Sequence, residues 1–214
     1  MRDEIKLILQ ADGFTSKISM FSWPKKSFQF EEALQVAPWK IRHVQFFQYD
    51  SAQLQQAIPR LRHVTHLELG WGQSTVIPVE IARLPKLQHL TILNVALNGF
   101  PEAVLECRSL RELHIRGADI PRLPDALGQL STLTTLHIGN CGLVELPSCL
   151  NRMHHLKVLE FPDNQLTQIP SSLSSLPSLR QLFLTGNPFT RTTVSDLKDQ
   201  FPQAIAFLIP GERE

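Results

Sequence analysis

The histidines are the residues whose type and spacing first suggest chemistry. Five of the eight recur at a constant step of 23 residues, in one series of three and another of two: His43, His66 and His89, then His114 and His137. Imidazoles can ligate a metal, transfer protons or hydrogen-bond a partner, and they ordinarily change charge near physiological pH. This constant spacing predicts a fold that is built from repeated structural units of the same length.

A metal site would combine such histidines with a nearby carboxylate, here Glu68 or Glu112. Regular strands would hold these ligands in rows rather than in a tetrahedron, so metal binding is only an alternative. No HExxH, GxSxG, GxxxxGK[ST] or GxGxxG motif occurs, and the three cysteines form no CxxC pair. We predict a protein that is not an enzyme and has no catalytic residue, no bound metal and no cofactor.

An apolar pattern with the same period indicates the elements that position these side chains. The triplet apolar-x-x-apolar-x-apolar starts at residues 41, 64, 87, 110, 133, 156 and 179, and one further step back starts at Ile18. An apolar-Pro step recurs in phase, at Pro78, Pro101, Pro124, Pro147 and Pro170. One such unit cannot bury its apolar face alone, whereas stacked units share a continuous core.

The unit L-x-x-L-x-L-x-x-n-x-L-x-x-L-P-x-x-L-x-x-L-x-x, where n is a turn position, resembles the 23-residue leucine-rich repeat. The resemblance covers residues 41–188 well and residues 18–37 poorly. The chain is similar to intracellular Ras-scaffold and plant Ras-group leucine-rich repeat proteins and to bacterial leucine-rich repeat proteins. The resemblance implies an α/β solenoid of about seven or eight repeats. A curved parallel sheet would line its concave face, with short helical or extended segments on the convex face.

The turn position n carries Asn in many members of this family, because the amide satisfies backbone groups. Here it holds Gly72, Val95, Ala118, Cys141, Asn164 and Asn187. Val95 and Ala118 have no side-chain donor. The turns of the middle repeats must therefore find other partners or be looser.

We predict a single domain over residues 1–214. It comprises an N-terminal cap and degenerate repeat (1–40), the repeats (41–188) and a C-terminal cap (189–214). Within the caps the patterns predict a hairpin of Ile5–Leu9 and Lys17–Phe21, helices at Phe28–Val36 and from Thr193 to about Gln200, and a strand at Ala204–Ile209.

The outward-facing positions of the predicted strands form the candidate partner-binding surface on the concave face. Its residues are His43, Gln45, Phe47, His66, Glu68, Trp71, His89, Thr91, Leu93, Glu112, His114, Arg116, His137, Glu160 and Phe183. We expect His43, His66 and His89 to be direct neighbours with Cβ atoms about 5 Å apart.

Three interpretations of this surface stay open. The positions are simply solvated; or they form a binding hot spot with Phe47, Trp71, Leu93 and Arg116 as anchors; or the imidazoles bind a metal. Charging neighbouring imidazoles is mutually unfavourable, so their protonation should be spread over a pH range. Partner affinity would then change between about pH 5.5 and 7.5, and a flat titration would contradict this.

Charge and composition restrict the partner and the compartment. Lys and Arg number 21 against 20 Asp and Glu, and the basic residues are scattered, so we predict neither nucleic-acid nor membrane binding. The N-terminal apolar run is too short for a signal-peptide core, the cysteines are odd in number, and no Asn-x-Ser/Thr triplet occurs. We predict a cytoplasmic protein, with secretion by a non-Sec route left open. A monomer is favoured.

The resemblance implies non-catalytic protein–protein recognition through the concave face, as a scaffold or adaptor. One alternative is a bacterial effector-type repeat protein that binds a host protein or supplies substrate recognition. Another is metal- or pH-responsive binding through the histidines.

Overall fold

The computed structural model describes residues 5–10, 17–20, 39, 41–49, 51–72, 74–190 and 200–201. The chain divides into two compact units. The first contains the described residues up to Ala96 together with Pro101–Leu110, and the second contains Leu97–Phe100 and the described residues from Arg111 onward. The predicted Phe28–Val36 helix and Ala204–Ile209 strand lie outside the described residues, as does the helix predicted from Thr193 except for Gln200. The prediction of a single domain stays a prediction.

The first unit contains five strands in the order β2-β1-β3-β4-β5. They are β1 (Ile5–Gln10), β2 (Lys17–Met20), β3 (Ile41–Phe47), β4 (His66–Gly70) and β5 (His89–Leu93). Strands β3, β4 and β5 pair in parallel, and each residue lies beside its equivalent in the next repeat. The helical segments are α1 (Ser51–Ala57) and 3-10 helices at Ile58–Arg60, Val79–Arg83 and Glu102–Glu106.

The N-terminal edge differs from a simple backward extension of the repeat. Strand β2, which contains Ile18, is antiparallel to β1, and β1 is the strand parallel to β3. Leu7 and Leu9 are in register with Val44 and Phe46. Only residues 11–16 separate β1 from β2, and so short a connection joins antiparallel strands, whereas parallel neighbours need a crossover of about a dozen residues or more. The triplet that starts at Ile18 therefore supplies no parallel rung.

The second unit contains four parallel strands in the order β6-β7-β8-β9. They are β6 (Glu112–Arg116), β7 (Thr135–Gly139), β8 (Val158–Glu160) and β9 (Gln181–Phe183). The 3-10 helices are Asp125–Gln129, Ser148–Arg152 and Ser171–Ser175. The predicted α/β architecture, with parallel strands alternating with short helical segments, is confirmed.

The apolar triplets form the core of each unit. Every triplet position from Ile41 to Leu184 is buried except Leu179, which is partly exposed. In a strand, alternate side chains point to opposite faces, so the neighbours of the buried leucines lie on the face of the sheet that is turned away from the core. We call this the outer face; it is the face that the sequence analysis predicts to be concave. Burying one leucine side chain stabilises the fold by about 1.5–3 kcal/mol. The repeat thus fixes which residues remain for binding.

The recurring prolines begin the return segments. Each proline of the recurring series, from Pro78 to Pro170, directly precedes a 3-10 helix. Its carbonyl accepts the first hydrogen bond of that helix, as in the bond from Val104 N–H to Pro101 at 2.9 Å. Proline suits this position because its φ is already restricted, and because an N–H group at the start of a helix has no acceptor within the helix.

Asparagine fills the turn position only in the last repeats. Asn164 is 1% exposed; its Oδ1 accepts from the backbone N–H groups of Cys141 and Leu143, and its Nδ2 donates to Ile138 and Pro162. Asn187 makes a similar set: its Oδ1 accepts from Leu166 N–H, and its Nδ2 donates to Phe161 and Leu184. In the middle repeats the turns are joined by backbone hydrogen bonds: Ala96 N–H donates to Gly72, and Asp119 N–H donates to Leu97. The counterpart of the Asp119 bond, from Gln165 to Leu143, is also present beside Asn164, so the amide adds to the backbone bonds.

Within the described residues, no helix combines the length and apolar character that crossing a membrane requires.

Candidate functional site

The parallel register places the predicted contact residues of the first unit in three rows across adjacent strands. His43, His66 and His89 are in register, and so are Gln45, Glu68 and Thr91. Phe47, Gly70 and Leu93 make the third row. Gly70 is buried, and the side chains of the other residues in the rows are partly exposed. Residues that are one repeat apart in the sequence are thus neighbours on adjacent strands.

The histidine row, defined as His43, His66 and His89, is a stack of parallel rings. The ring centroids are 4.0 Å apart in both pairs, with interplanar angles of 15° and 3°. Thr65 Oγ1 lies 2.8 Å from His66 Nδ1, which gives this ring a polar partner from the preceding residue. Because the faces of the rings cover one another, the edges of the rings are what the row presents to its surroundings.

The second row contains a carboxylate oriented by an amide. Gln45 Nε2 donates a hydrogen bond to Glu68 Oε2 across the β3–β4 pair. The first two rows together line a shallow pocket of ≈ 150 Å³. Polar groups that are held by their neighbours in this way can bind a partner with little loss of side-chain entropy.

An aromatic pair lies at the third row, which we call the aromatic platform: Phe47, from that row, and Trp71, the residue after Gly70. The ring centroids are 5.4 Å apart and the planes are inclined at 49°. Gly70 makes this arrangement possible, since a Cβ there would lie 2.6 Å from Phe47 Cδ1. The Phe47 ring therefore lies directly over the backbone of the next strand. Trp71 remains 52% exposed.

Trp71 occupies a backbone position that the sequence pattern alone did not reveal. It follows the last residue of β4 and has φ 50°, in the left-handed region. The equivalent positions of the other repeats are also left-handed: Gln48, Asn94, Gly117, Asn140, Asp163 and Gly186. Five of the seven are Gly, Asn or Asp, the residues that tolerate this conformation, and that enrichment was the available signal.

The outer face of the second unit carries a different set of groups, which pair with one another. His114 and His137 stack with centroids 5.5 Å apart, and His137 Nδ1 lies 2.5 Å from Glu160 Oε2. Glu112 Oε2 is 4.0 Å from His114 Nε2. Phe183 is in register with Glu160 and completes this row. These side chains satisfy much of their polarity within the unit.

Arg116 is engaged in an ion pair that sequence reasoning missed. Its Nη2 lies 3.2 Å from Asp163 Oδ2, two repeats along the chain. Gly139, the register partner of Arg116, has no side chain to intervene; a Cβ there would lie 3.1 Å from Pro162. Both charged side chains are about half exposed, so the pair contributes little to stability. The proposed anchor role of Arg116 stays a prediction, as does partner binding by the other fourteen residues.

No group of three or more His, Cys, Asp or Glu residues in the described ranges is arranged to hold a metal ion. The three cysteines are free and buried. Burial raises the pKa of the Cys107 thiol to about 12, helped by the Glu106 carboxylate, and burial also raises the thiol pKa of Cys141 and Cys149. A buried thiol held in its neutral form is a poor nucleophile.

The comparisons with known proteins agree with the repeat fold. A family model described as a leucine rich repeat matches residues 131–189. No curated protein matches the chain significantly. Among solved structures, a leucine-rich repeat protein from Leptospira interrogans is 26% identical with a TM-score of 0.69. The match covers 83% of this chain and 44% of that one.

Two further structures share the fold at lower identity. A plant peptide hormone receptor, RGFR1 in complex with RGF2, is 22% identical with a TM-score of 0.57, covering 79% of this chain and 27% of the receptor. The TLR13 protein in a complex with ssRNA13 is 17% identical with a TM-score of 0.61, covering 80% of this chain and 29% of that one. This chain thus spans less than half of each of the three structures.

Proposed function

We propose that this chain, a leucine-rich repeat protein, is a non-catalytic recognition module that binds a partner protein through the outer face of its parallel strands. Proteins with the leucine-rich repeat fold are generally non-catalytic and bind other proteins. The observation that carries the proposal is the first unit's outer face, where the aromatic platform lies exposed beside rows of oriented polar groups. A few residues supply most of the binding energy at protein interfaces, and tryptophan is enriched among them.

A protein partner fits this face better than a nucleic acid does. Structures of this fold include complexes with a peptide hormone and with an RNA. Binding to nucleic acid depends on lysines and arginines that neutralise phosphates. Arg116 is the one such residue among the fifteen predicted contact residues, and it pairs with Asp163. We further propose a scaffold or adaptor role in the cytoplasm, which the free, buried cysteines support.

Affinity capture with matched variants tests the proposed surface. The bait is the full chain, either unchanged or carrying Phe47→Ala with Trp71→Ala, and the control is Trp39→Ala, which removes an equally exposed tryptophan. We expect a captured protein, once purified, to bind the double variant about 30-fold more weakly or worse, and to bind the control unchanged. Equal binding by all three baits would contradict the proposal.

A second candidate is a pH-dependent form of the same binding, and the stacking of the histidine row favours it. Glu68, two residues after His66 on the same strand, lines the same pocket as the row and places a carboxylate beside it. Charges on stacked imidazole rings repel one another, which couples the charge of the row to whatever binds beside it. We expect partner affinity to differ between about pH 5.5 and 7.5, and less so in His66→Gln. A flat wild-type titration would exclude this candidate.

A further inference from the structure

The aromatic platform is built in a way that core packing does not require. Trp71 is one of the most exposed large apolar side chains among the described residues, although its ring contacts Phe47. Phe47 in turn lies across Gly70, a position with no room for a side chain. The two rings therefore present π surface to the outside side by side.

The backbone under Trp71 adds an independent sign of a binding role. A bulky residue at φ 50° costs about 1–2 kcal/mol relative to glycine, which occupies the equivalent position at Gly117 and Gly186. A strained residue whose side chain is half exposed does not offset that cost through burial. Strained positions of this kind concentrate at ligand-binding sites.

A carboxylate lies next to the platform. Glu68 is two residues before Gly70 on β4, so both face outward, about 6.6 Å apart along the strand. Gln45 uses one of the acceptor positions of the carboxylate and orients the group, and a carboxylate has about four such positions. Glu68 carries the one carboxylate among the nine predicted contact residues of the first unit.

We propose that Phe47, Trp71 and Glu68 form a site for an arginine side chain presented by the partner protein. A guanidinium can stack flat on an aromatic ring and at the same time donate two parallel hydrogen bonds to a carboxylate. Lysine offers a point charge without the planar fork, so it fits less well. This proposal rests on the proposed function and gives the chemistry that the surface recognises.

The test uses a small probe, so it does not require the partner. Nα-acetyl-arginine methylamide is titrated to about 100 mM at pH 7.5 and constant ionic strength, and the indole N–H resonance of Trp71 is followed by NMR. The matched probe is the citrulline analogue, which has nearly the same shape without the charge. The lysine, glutamate and phenylalanine analogues represent the other possible occupants.

We expect a saturable shift with the arginine probe and an affinity for citrulline about fivefold weaker or worse. Glu68→Gln should weaken arginine binding about two- to fivefold, and so should Phe47→Ala. Glu102→Gln, which removes an exposed carboxylate from a 3-10 helix of the first unit, should leave it unchanged. The absence of saturation, equal binding of arginine and citrulline, or tighter binding of any other analogue would overturn the proposal. A captured partner that needs Trp71 but has no arginine at the contact would overturn it while leaving the proposed function intact.

Discussion

At the scale of single residues, the left-handed turn after each strand decides which side chains are tolerated. Glycine, asparagine and aspartate occupy five of the seven such positions, whereas Gln48 and the bulkier Trp71 occupy the other two. The repeat needs this turn to redirect the chain from the strand towards the core, so the conformation persists whatever residue occupies it. A side chain that is unfavourable for the backbone and half exposed is better explained by binding than by stability.

The left-handed φ of Trp71 predicts an inverted order of stability for two substitutions at that site. Trp71→Gly should unfold with a free energy about 1 kcal/mol higher than Trp71→Ala, because alanine resists φ 50° and glycine does not. The measurement is equilibrium unfolding in urea. The same pair at Val158, inside β8, provides the control and should show the ordinary order, with alanine more stable than glycine. Equal stability of the two Trp71 variants would contradict the strain argument.

At the scale of the elements, the turns of successive repeats are held together in two ways. Where asparagine is present, one buried amide bonds four backbone groups from two neighbouring repeats, as Asn164 does. Backbone groups of neighbouring turns also bond one another directly, both where the amide is absent, as at Asp119, and where it is present, as at Gln165. The amide matters because buried backbone groups without partners are costly.

We expect Asn164→Ala to lower the free energy of unfolding by about 3 kcal/mol, since it leaves two N–H and two C=O groups of the turns without the amide. Chemical denaturation followed by circular dichroism measures the loss. Gln165→Ala is the matched control, because its side chain is exposed and its backbone bond to Leu143 survives the substitution. A loss below about 1 kcal/mol would show that the turns are held by the backbone alone.

At the scale of the whole molecule, the two units divide the chemistry between them. The outer face of the first unit carries the histidine row and the aromatic platform, whereas that of the second unit carries paired charges around His137 and Arg116. Behind both faces lie continuous apolar cores that also contain the cysteines, with Cys107 in the first unit and Cys141 and Cys149 in the second. The thiols therefore report on the integrity of each core.

Alkylation should label none of the three thiols rapidly in the folded protein at pH 8. Burial raises each thiol pKa, so the thiolate fraction falls, and the same burial excludes the reagent. In 6 M guanidinium, where the pKa returns to its usual value near ~8.5, all three should react within minutes. Mass spectrometry of labelled peptides provides the readout. Rapid labelling of Cys107 in the native state would show that the core of the first unit is open to solvent.

The sequence by itself determined the core, the strands from Ile41 onward and the rows that the outer face displays. It could do so because a constant repeat length, combined with the alternation of side chains along a strand, leaves one consistent register. Only the tertiary structure decided that β1 rather than β2 lies beside β3, that Arg116 reaches Asp163, and that Trp71 lies on a left-handed turn. These features depend on strand direction, on the space left by a glycine and on a backbone angle. A pattern of apolar residues constrains none of the three.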